Sequence, residues 1–171
     1  MNESKNKRKL TLFLFSAYCL ILVWLILFKL SFSFRDIHWL QGNRSINLIP
    51  FYYDMDTGRH HLKEVVLNLL IFVPFGVYLK MLDLPARQAI LCGITFSLVM
   101  ELCQYIFAIG GTDITDLITN TTGTVVGVLG YVILGKLSPN NGKTDKLLQI
   151  AATICTIVFL LMALILAIAN T

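Results

Sequence analysis

Charged residues are scarce in this sequence. Only 14% of its 171 residues are Asp, Glu, Lys or Arg, and 56% are hydrophobic, whereas soluble domains carry about 25% charged residues. So little polar material cannot cover the surface of a water-soluble globule. Cysteines are also few, and the four of them fall in apolar runs without CxxC spacing. Neither a disulfide framework nor a cysteine zinc site is therefore expected.

Motifs for common cofactors and reactions are missing as well. The sequence contains no P-loop, no HExxH and no nucleophile elbow. His60 and His61 are adjacent, so they do not share a helix face and are a poor metal pair. The net charge of +4 is spread over several flanks of the apolar runs rather than gathered in one stripe. We expect no cofactor, no metal and no nucleic-acid partner.

Long apolar runs dominate what is present. Five segments of about twenty residues carry little or no charge, and each is long enough to cross a hydrocarbon layer of ~30 Å. We predict an all-α membrane protein, a single domain over residues 1–171 that forms a bundle of about five transmembrane helices. The first apolar run is longer than the core of a signal peptide, so we expect it to be retained as an anchor. The predicted spans are residues 10–30, 64–82, 87–109, 113–134 and 147–169.

The distribution of basic residues predicts the orientation. With the N-terminus in the cytoplasm and the C-terminus outside, nine of the fourteen basic residues lie inside, as the positive-inside rule requires. The loop 31–63 then lies outside, and its many aromatic and aliphatic residues predict that part of it lies in the membrane interface. Within it the run NLIPF, residues 47–51, is predicted to dip into the protein. The nine basic residues are Lys5, Lys7, Arg8, Lys9, Lys80, Arg87, Lys136, Lys143 and Lys146.

Polar residues inside the spans are candidate functional residues because inserting them into a membrane costs a few kcal/mol each. In the fourth span Asp113, Asp116, Asn120, Gly123 and Gly127 follow one another at spacings of three or four residues. This spacing places them on one face of a helix. Gly123 and Gly127 form the small-residue pattern that allows close helix packing, and they also offer an interface for a homo-oligomer.

The second and third spans add further polar groups at a similar depth. Glu101 and Gln104 share one face of the third span, and Asn68 lies about one turn inside the second. With the predicted orientation these side chains and Asn120 fall in the outer leaflet, where they can meet. The second span also contains Pro74 and Gly76 near its middle.

Structural explanations compete with a functional one for each of these side chains. Asp113 and Asp116 would suit the first turn of a helix, where the helix dipole favours acids. Asn68, Gln104 and Asn120 would suit hydrogen bonds between helices, worth ~0.6 kcal/mol each. A carboxylate as deep as Glu101 needs a partner, a proton or water.

Four blocks of sequence in this order resemble the VanZ-like family of bacterial membrane proteins. The blocks are NLIPF (47–51), EVVLNLLIFVPFG (64–76), SLVMELCQ (97–104) and GTDITDLITNTTGTVVG (111–127). One member of the family confers low-level resistance to the glycopeptide teicoplanin, and most members have no assigned activity. Many relatives carry an arginine shortly before the acidic pair, where this chain has residues 109–112 without one; Arg44, Arg59 or Lys63 would have to substitute. The resemblance implies that the characteristic positions are Asn47, Pro50, Phe51, Asn68, Pro74, Gly76, Glu101, Gln104, Asp113, Asp116, Asn120 and Gly123.

Three functions are compatible with these observations. The first is a cell-envelope protein of the bacterial cytoplasmic membrane, whose outer-leaflet pocket binds a membrane lipid or a lipid-linked cell-wall precursor and which lowers teicoplanin susceptibility. The second is an intramembrane enzyme that uses Glu101 and Asp116 as acid/base residues on a lipid-linked substrate. The third is a small transporter or flippase, in which intramembrane carboxylates couple transport to protons or ions. The predicted ligand-binding residues are Asn47, Asn68, Glu101, Gln104, Asp113, Asp116 and Asn120.

Overall fold

Four long helices make up most of the protein. They are α1 (Asn2–Phe28), α2 (Leu62–Met81), α3 (Ala86–Phe107) and α4 (Ile114–Leu137), and each is long and apolar enough to cross a membrane. A shorter apolar helix, α5, covers Lys146–Val158. This computed structural model describes residues 2–28, 44–51, 62–109, 111–137, 146–151, 153–154, 156–158 and 161.

The helices agree with four of the five predicted spans to within a few residues, apart from the start of the first. There, α1 begins at Asn2, because the basic head joins the helix instead of preceding it. The fifth span was predicted over residues 147–169, most of whose second half lies outside the described residues, so its crossing of the membrane stays a prediction. The described part of the predicted outer loop is 44–51 and 62–63; His60, His61 and Arg59 lie outside the described residues.

The connections on either side of α3 are tight, which makes α2, α3 and α4 run antiparallel to their neighbours in sequence. Between α2 and α3, Asp83 adopts a left-handed backbone with φ of 65°, and Pro85 directly precedes α3. At the other end, Ala108 has φ of 50°, and the N–H groups of Ala108 and Ile109 bond to carbonyls of the last turn. These turns align the C-terminal end of α3 with the N-terminal end of α4.

The backbones of α2 and α4 touch. A Cβ atom added at Gly123 or Gly127 would overlap the carbonyl oxygen of Leu69 or Val73 on α2, and one added at Gly76 would overlap the carbonyl oxygen of Thr124 on α4. The glycine face of α4 therefore packs within the chain, against α2. Glycine is needed here because any side chain would separate the helices.

Aromatic rings fill the space between α1, α2 and α3. The ring centroids of Phe15 and Phe75 are 5.4 Å apart, and those of Phe75 and Phe96 are 5.1 Å apart. The Tyr18 hydroxyl of α1 donates a hydrogen bond to the carbonyl of Ile71 on α2. By contrast, the outward faces of the helices carry exposed Leu, Ile, Val and Phe side chains. Apolar residues on the outside and a packed centre are what a bilayer solvent requires.

Two very short strands complete the described structure. Strand β1 (Ile46–Asn47) lies between α1 and α2 in sequence, and β2 (Thr112–Asp113) immediately precedes α4. They pair in parallel, Ile46 with Thr112 and Asn47 with Asp113. This pairing joins the segment before α2 to the connection between α3 and α4.

Candidate functional site

The polar side chains predicted from the sequence lie at one end of the bundle, which we call the polar end. Here the C-terminal ends of α1 and α3, the N-terminal ends of α2 and α4, and the two strands come together. The Gln104 side-chain Nε2 donates to the carbonyl of Ile26 on α1 at 2.9 Å. Similar bonds join α2 to α4 and β1 to β2. The shared depth predicted from the sequence thus corresponds to spatial proximity in the structure.

Residues 44–51 form a clasp over the connection between α3 and α4. The Thr112 N–H donates to the Ser45 carbonyl at 2.9 Å, and the Phe51 N–H donates to Thr115 Oγ1 at 3.0 Å. Gly111 leaves room for this approach, since a Cβ there would lie 2.5 Å from Ser45 Oγ. The backbone of NLIPF therefore returns to the N-terminal end of α4, while its apolar side chains remain exposed.

Asn47 and Asp113 fasten the clasp to α4. Asn47 Nδ2 donates to Asp113 Oδ2 at 3.2 Å, and Asn47 Oδ1 accepts the N–H of Ile49 at 3.1 Å. The other oxygen of Asp113 accepts the N–H of Thr115 at 2.8 Å, the bond that an N-cap residue makes. Asp113 therefore caps α4 and anchors the clasp at the same time.

Glu101 is a buried carboxylate with 3% of its surface exposed. Its Oε2 accepts the backbone N–H of Asp113 at 2.9 Å, and its own carbonyl accepts from Thr112 Oγ1 at 3.2 Å. The carboxylate thus faces the N-terminus of α4, where the helix dipole favours negative charge by ~0.3–1 kcal/mol and more where partly buried. This contact offsets part of the cost of burying the charge.

Asn68 and Asp116 link α2 to α4. Asn68 Nδ2 donates to Asp116 Oδ1 at 2.6 Å, a short bond of the kind that charged acceptors make. Both side chains are only partly buried, in contrast to Glu101. This pair is therefore more accessible to a ligand than Glu101 is.

Asn120 lies one turn deeper on α4 than Asp116, and Ser97 lies one turn deeper on α3 than Glu101. Asn120 Nδ2 donates to Ser97 Oγ at 2.9 Å, and both side chains are buried. We call Ser97, Glu101 and Gln104 of α3, together with Asn120 of α4, the polar column. From residue 97 to residue 104 it follows α3 for about 10 Å at 1.5 Å per residue.

The polar column closes in the middle of the bundle. Below Asn120, Thr124 packs so tightly against Gly93 that a Cβ on Gly93 would lie 2.5 Å from Thr124 Oγ1. The buried residues beyond this point include the apolar Ala89 and Val128. Within the described residues, the polar column is thus a dead end that begins at the polar end.

Gln104 Oε1 and Asn120 Oδ1 of the polar column have no hydrogen-bond donor among the described residues. Both side chains are 1% exposed. A buried acceptor without a donor costs ~1–3 kcal/mol, so such atoms point to a ligand or a water.

Several hydroxyl groups of the site were not singled out from the sequence. Thr112 and Thr115 hold the clasp, and Ser97 holds Asn120. Ser97 carried a signal, because it precedes Glu101 by four residues and Gln104 by seven and so shares their face. This spacing alone does not single Ser97 out, because a serine in an apolar helix commonly bonds to its own backbone.

Basic and metal-binding groups are a minor part of the described site. Arg44 donates to the carbonyl of Ile106 at 3.5 Å, and Lys63 is exposed at the start of α2. No group of three His, Cys, Asp or Glu side chains among the described residues is arranged to hold a metal ion.

The two prolines singled out from the sequence lie in different places. Pro50 is exposed at the tip of the clasp, and Pro74 lies inside α2.

Comparison with known proteins gives a consistent result. The VanZ/LLP1 family model matches residues 15–135, from within α1 to near the end of α4. Protein VanZ of Enterococcus faecium is 37% identical over 139 residues, which cover 79% of this chain and 81% of that protein. No solved structure matches the chain.

Proposed function

Since the chain belongs to the VanZ/LLP1 family, we propose that its polar end binds a lipid or a lipid-linked cell-wall molecule in the outer leaflet of the bacterial cytoplasmic membrane. Binding there lowers the susceptibility of the cell to teicoplanin, as the family resemblance implies. The observation that carries the proposal is the polar column, which is buried at one end of an otherwise apolar bundle, together with the partly exposed Asn68–Asp116 pair at the same end.

The charge distribution supports an outward-facing polar end. The described acids Glu101, Asp113 and Asp116 gather at this end, whereas the opposite end carries the basic head of α1 and the basic residues at the ends of α2 and α4. Cytoplasmic flanks of membrane proteins are enriched in Lys and Arg. This charge distribution supports an N-terminus that faces the cytoplasm and a polar end that meets the lipids of the outer leaflet.

The composition of the polar end also suits binding better than packing alone. Asn68 and Asp116 satisfy each other but remain partly exposed, so a ligand group can compete for their hydrogen bond. The buried side-chain oxygens of Gln104 and Asn120 have no hydrogen-bond donor among the described residues. A site built only for stability would leave neither feature, since unmatched polar atoms in a membrane are costly.

Carboxylate-to-amide variants test the proposal. Glu101→Gln keeps an oxygen for the Asp113 N–H, and Asp116→Asn keeps one for Asn68, so both should fold while losing the negative charge that the ligand meets. We expect either variant, expressed at the parent level, to abolish the reduction in teicoplanin susceptibility that the parent confers on a susceptible host.

The matched control is Asp83→Asn at the opposite end of the bundle. Asp83 is exposed in a turn with a left-handed backbone, a conformation that asparagine also adopts. The Asp83→Asn substitution makes the same chemical change far from the site, so teicoplanin susceptibility should stay at the parent level. Unchanged susceptibility in both Glu101→Gln and Asp116→Asn would contradict the proposal.

No specific observation in the structure favours either alternative function, the transporter or the intramembrane enzyme. Transport needs a polar path, whereas the polar column closes at Thr124 and Gly93. Acid/base chemistry needs a carboxylate that is available to substrate, whereas one oxygen of Glu101 holds the N–H of Asp113.

A further inference from the structure

The orientation of the Gln104 amide is fixed by its neighbour. Its nitrogen donates to the carbonyl oxygen of Ile26, which can only accept. Turning the amide over would place two oxygens against each other, so Oε1 is the atom that lacks a donor. Asn120 differs, because the Ser97 hydroxyl beside it can donate as well as accept and so does not fix the orientation of the amide. The unmatched group that the structure defines is therefore an acceptor, the side-chain oxygen of Gln104.

The charge of the polar end also favours a ligand group that donates hydrogen bonds. Among the described ionisable residues at this end, four are acids and two are bases. Glu101 lies one turn from Gln104 on the same face of α3, so its carboxylate adds negative charge beside the unmatched oxygen. A phosphate or diphosphate would bring more acceptors and more negative charge to this place. A cationic hydrogen-bond donor is complementary to it. The six residues are Glu64, Glu101, Asp113, Asp116, Arg44 and Lys63.

Burial restricts the size of the ligand group that this place admits. The Gln104 side chain is 1% exposed, so a group that reaches its oxygen has to be slim and carried on a flexible arm. A primary ammonium has this shape and carries three N–H donors. A trimethylated ammonium has the same charge, but it is wider and has no donor.

We propose that the ligand of this site presents a protonated primary amine to the unmatched oxygen of Gln104, beside the carboxylate of Glu101. This inference rests on the proposed function and narrows its ligand class. Two sources share the chemistry, an ethanolamine-type lipid headgroup and a lysine-type amine on a lipid-linked peptide. In either case the amine, and not the phosphate, is the recognised group.

Pairs of probes that differ only in N-methylation test whether the site recognises a primary amine. The purified full-length protein is titrated by native mass spectrometry with phosphatidylethanolamine and phosphatidylcholine of identical acyl chains. A second pair is an acylated lysine peptide and the same peptide with a trimethylated side-chain nitrogen. We expect the parent to bind the primary amine of at least one pair about tenfold more tightly, equivalent to about 1.4 kcal/mol. The pair that shows the preference identifies the source.

Variants of Gln104 locate the recognition. Gln104→Met removes the unmatched oxygen and the bond to Ile26, and should abolish the preference. Gln104→Glu, as the protonated acid, can still donate to the Ile26 carbonyl and retains an acceptor, so it should keep the preference. The control Tyr18→Phe also removes a hydrogen bond to the carbonyl of a neighbouring helix, but away from the polar end, and should bind like the parent.

The outcomes separate this inference from the proposed function. Equal binding of both members of each pair by the parent would overturn the proposed amine recognition, and it is the result expected if a buried water bonds to the Gln104 oxygen. If that equal binding is weakened by Glu101→Gln or Asp116→Asn, the lipid site stands without the amine. If no probe binds in a manner that depends on these carboxylates, both proposals are lost. A preference that persists in Gln104→Met would also overturn the assignment to this oxygen.

Discussion

The carboxylates of the polar end have different partners, although the sequence places them close together. Asp113 uses one oxygen to cap α4 and the other to hold Asn47. Glu101 accepts the backbone N–H of Asp113, and Asp116 accepts from Asn68 on α2. Of the three, Asp113 is therefore the residue whose hydrogen bonds are explained by the helix cap and by the clasp. Asp116, which is partly exposed, is the better placed to meet a ligand.

Two substitutions of Asp113 separate its cap from its charge. Asp113→Ala loses the helix cap and the bond to Asn47, and should lower the free energy of unfolding by about 2 kcal/mol. Asp113→Asn keeps an acceptor for the Thr115 N–H and should lose less than half as much. Unfolding of the detergent-solubilised protein measures both, and equal losses would show that the cap contributes nothing.

At the scale of elements, α2 and α4 form the closest helix pair because glycine lies at their crossing. Gly123 and Gly127 bring α4 onto the carbonyls of Leu69 and Val73. This contact sets the distance between Asn68 on α2 and Asp116 on α4. Packing in the apolar half of the bundle thus positions the polar pair near its end.

Adding a methyl group to α4 should therefore have opposite effects at two glycines. Gly127→Ala forces its Cβ onto the carbonyl of Val73, and should cost ~1–3 kcal/mol of stability through overpacking. Gly130→Ala meets no atom within 4 Å, so it should be neutral or stabilising by up to ~1 kcal/mol through helix propensity. Thermal unfolding in detergent compares the two, and an equal loss at Gly130 would argue against this packing.

The clasp is the second element that shapes the site, because it ties β1 to β2 directly above Glu101. Its register is specified by the pairs Ile46 with Thr112 and Asn47 with Asp113. A shift of one residue would move Asn47 away from Asp113, since neighbouring residues of a strand point to opposite faces. The clasp therefore holds the end of α4 in the position at which Glu101 bonds to it.

An engineered disulfide tests the geometry of the clasp. A Cβ at Gly111 would lie 3.8 Å from the Cβ of Ser45, which is close to the ~3.8 Å mean for disulfides. We expect Ser45→Cys with Gly111→Cys to oxidise readily, seen as resistance to thiol labelling that a reductant reverses. Leu48→Cys with Gly111→Cys is the control and should remain labelled; failure of the first pair to oxidise would contradict the register.

At the scale of the whole molecule, the two ends of the bundle differ in chemistry. The polar end combines acids, amides and the exposed apolar tip of the clasp, while the opposite end carries exposed basic residues. A bilayer keeps these ends apart, because moving charges through hydrocarbon is costly. The difference between the ends therefore predicts one fixed orientation in the membrane.

Labelling of intact cells measures that orientation. In a variant whose four cysteines are replaced by serine, Leu48→Cys in the clasp should react with a membrane-impermeant maleimide. Lys136→Cys at the end of α4 should react only after the membrane is opened. Both side chains are exposed in the structure, so access to the reagent is the difference between them. The reverse pattern would place the polar end in the cytoplasm and contradict the proposed site of binding.

Hydrophobic length and helical periodicity were enough to predict the four helices and the polar face of α4, because a bilayer demands about twenty apolar residues per span and a helix repeats every 3.6 residues. The partners of each polar side chain could not be obtained in this way. Periodicity assigns Glu101 to a face of α3, but its bond to the N–H of Asp113 depends on the turn at Ala108 and on the clasp. Likewise Ser97 meets Asn120, 23 residues away, and Asn47 meets Asp113, 66 residues away. Such contacts arise only when helices pack, since a repeat within one helix carries no information about which other helix it faces.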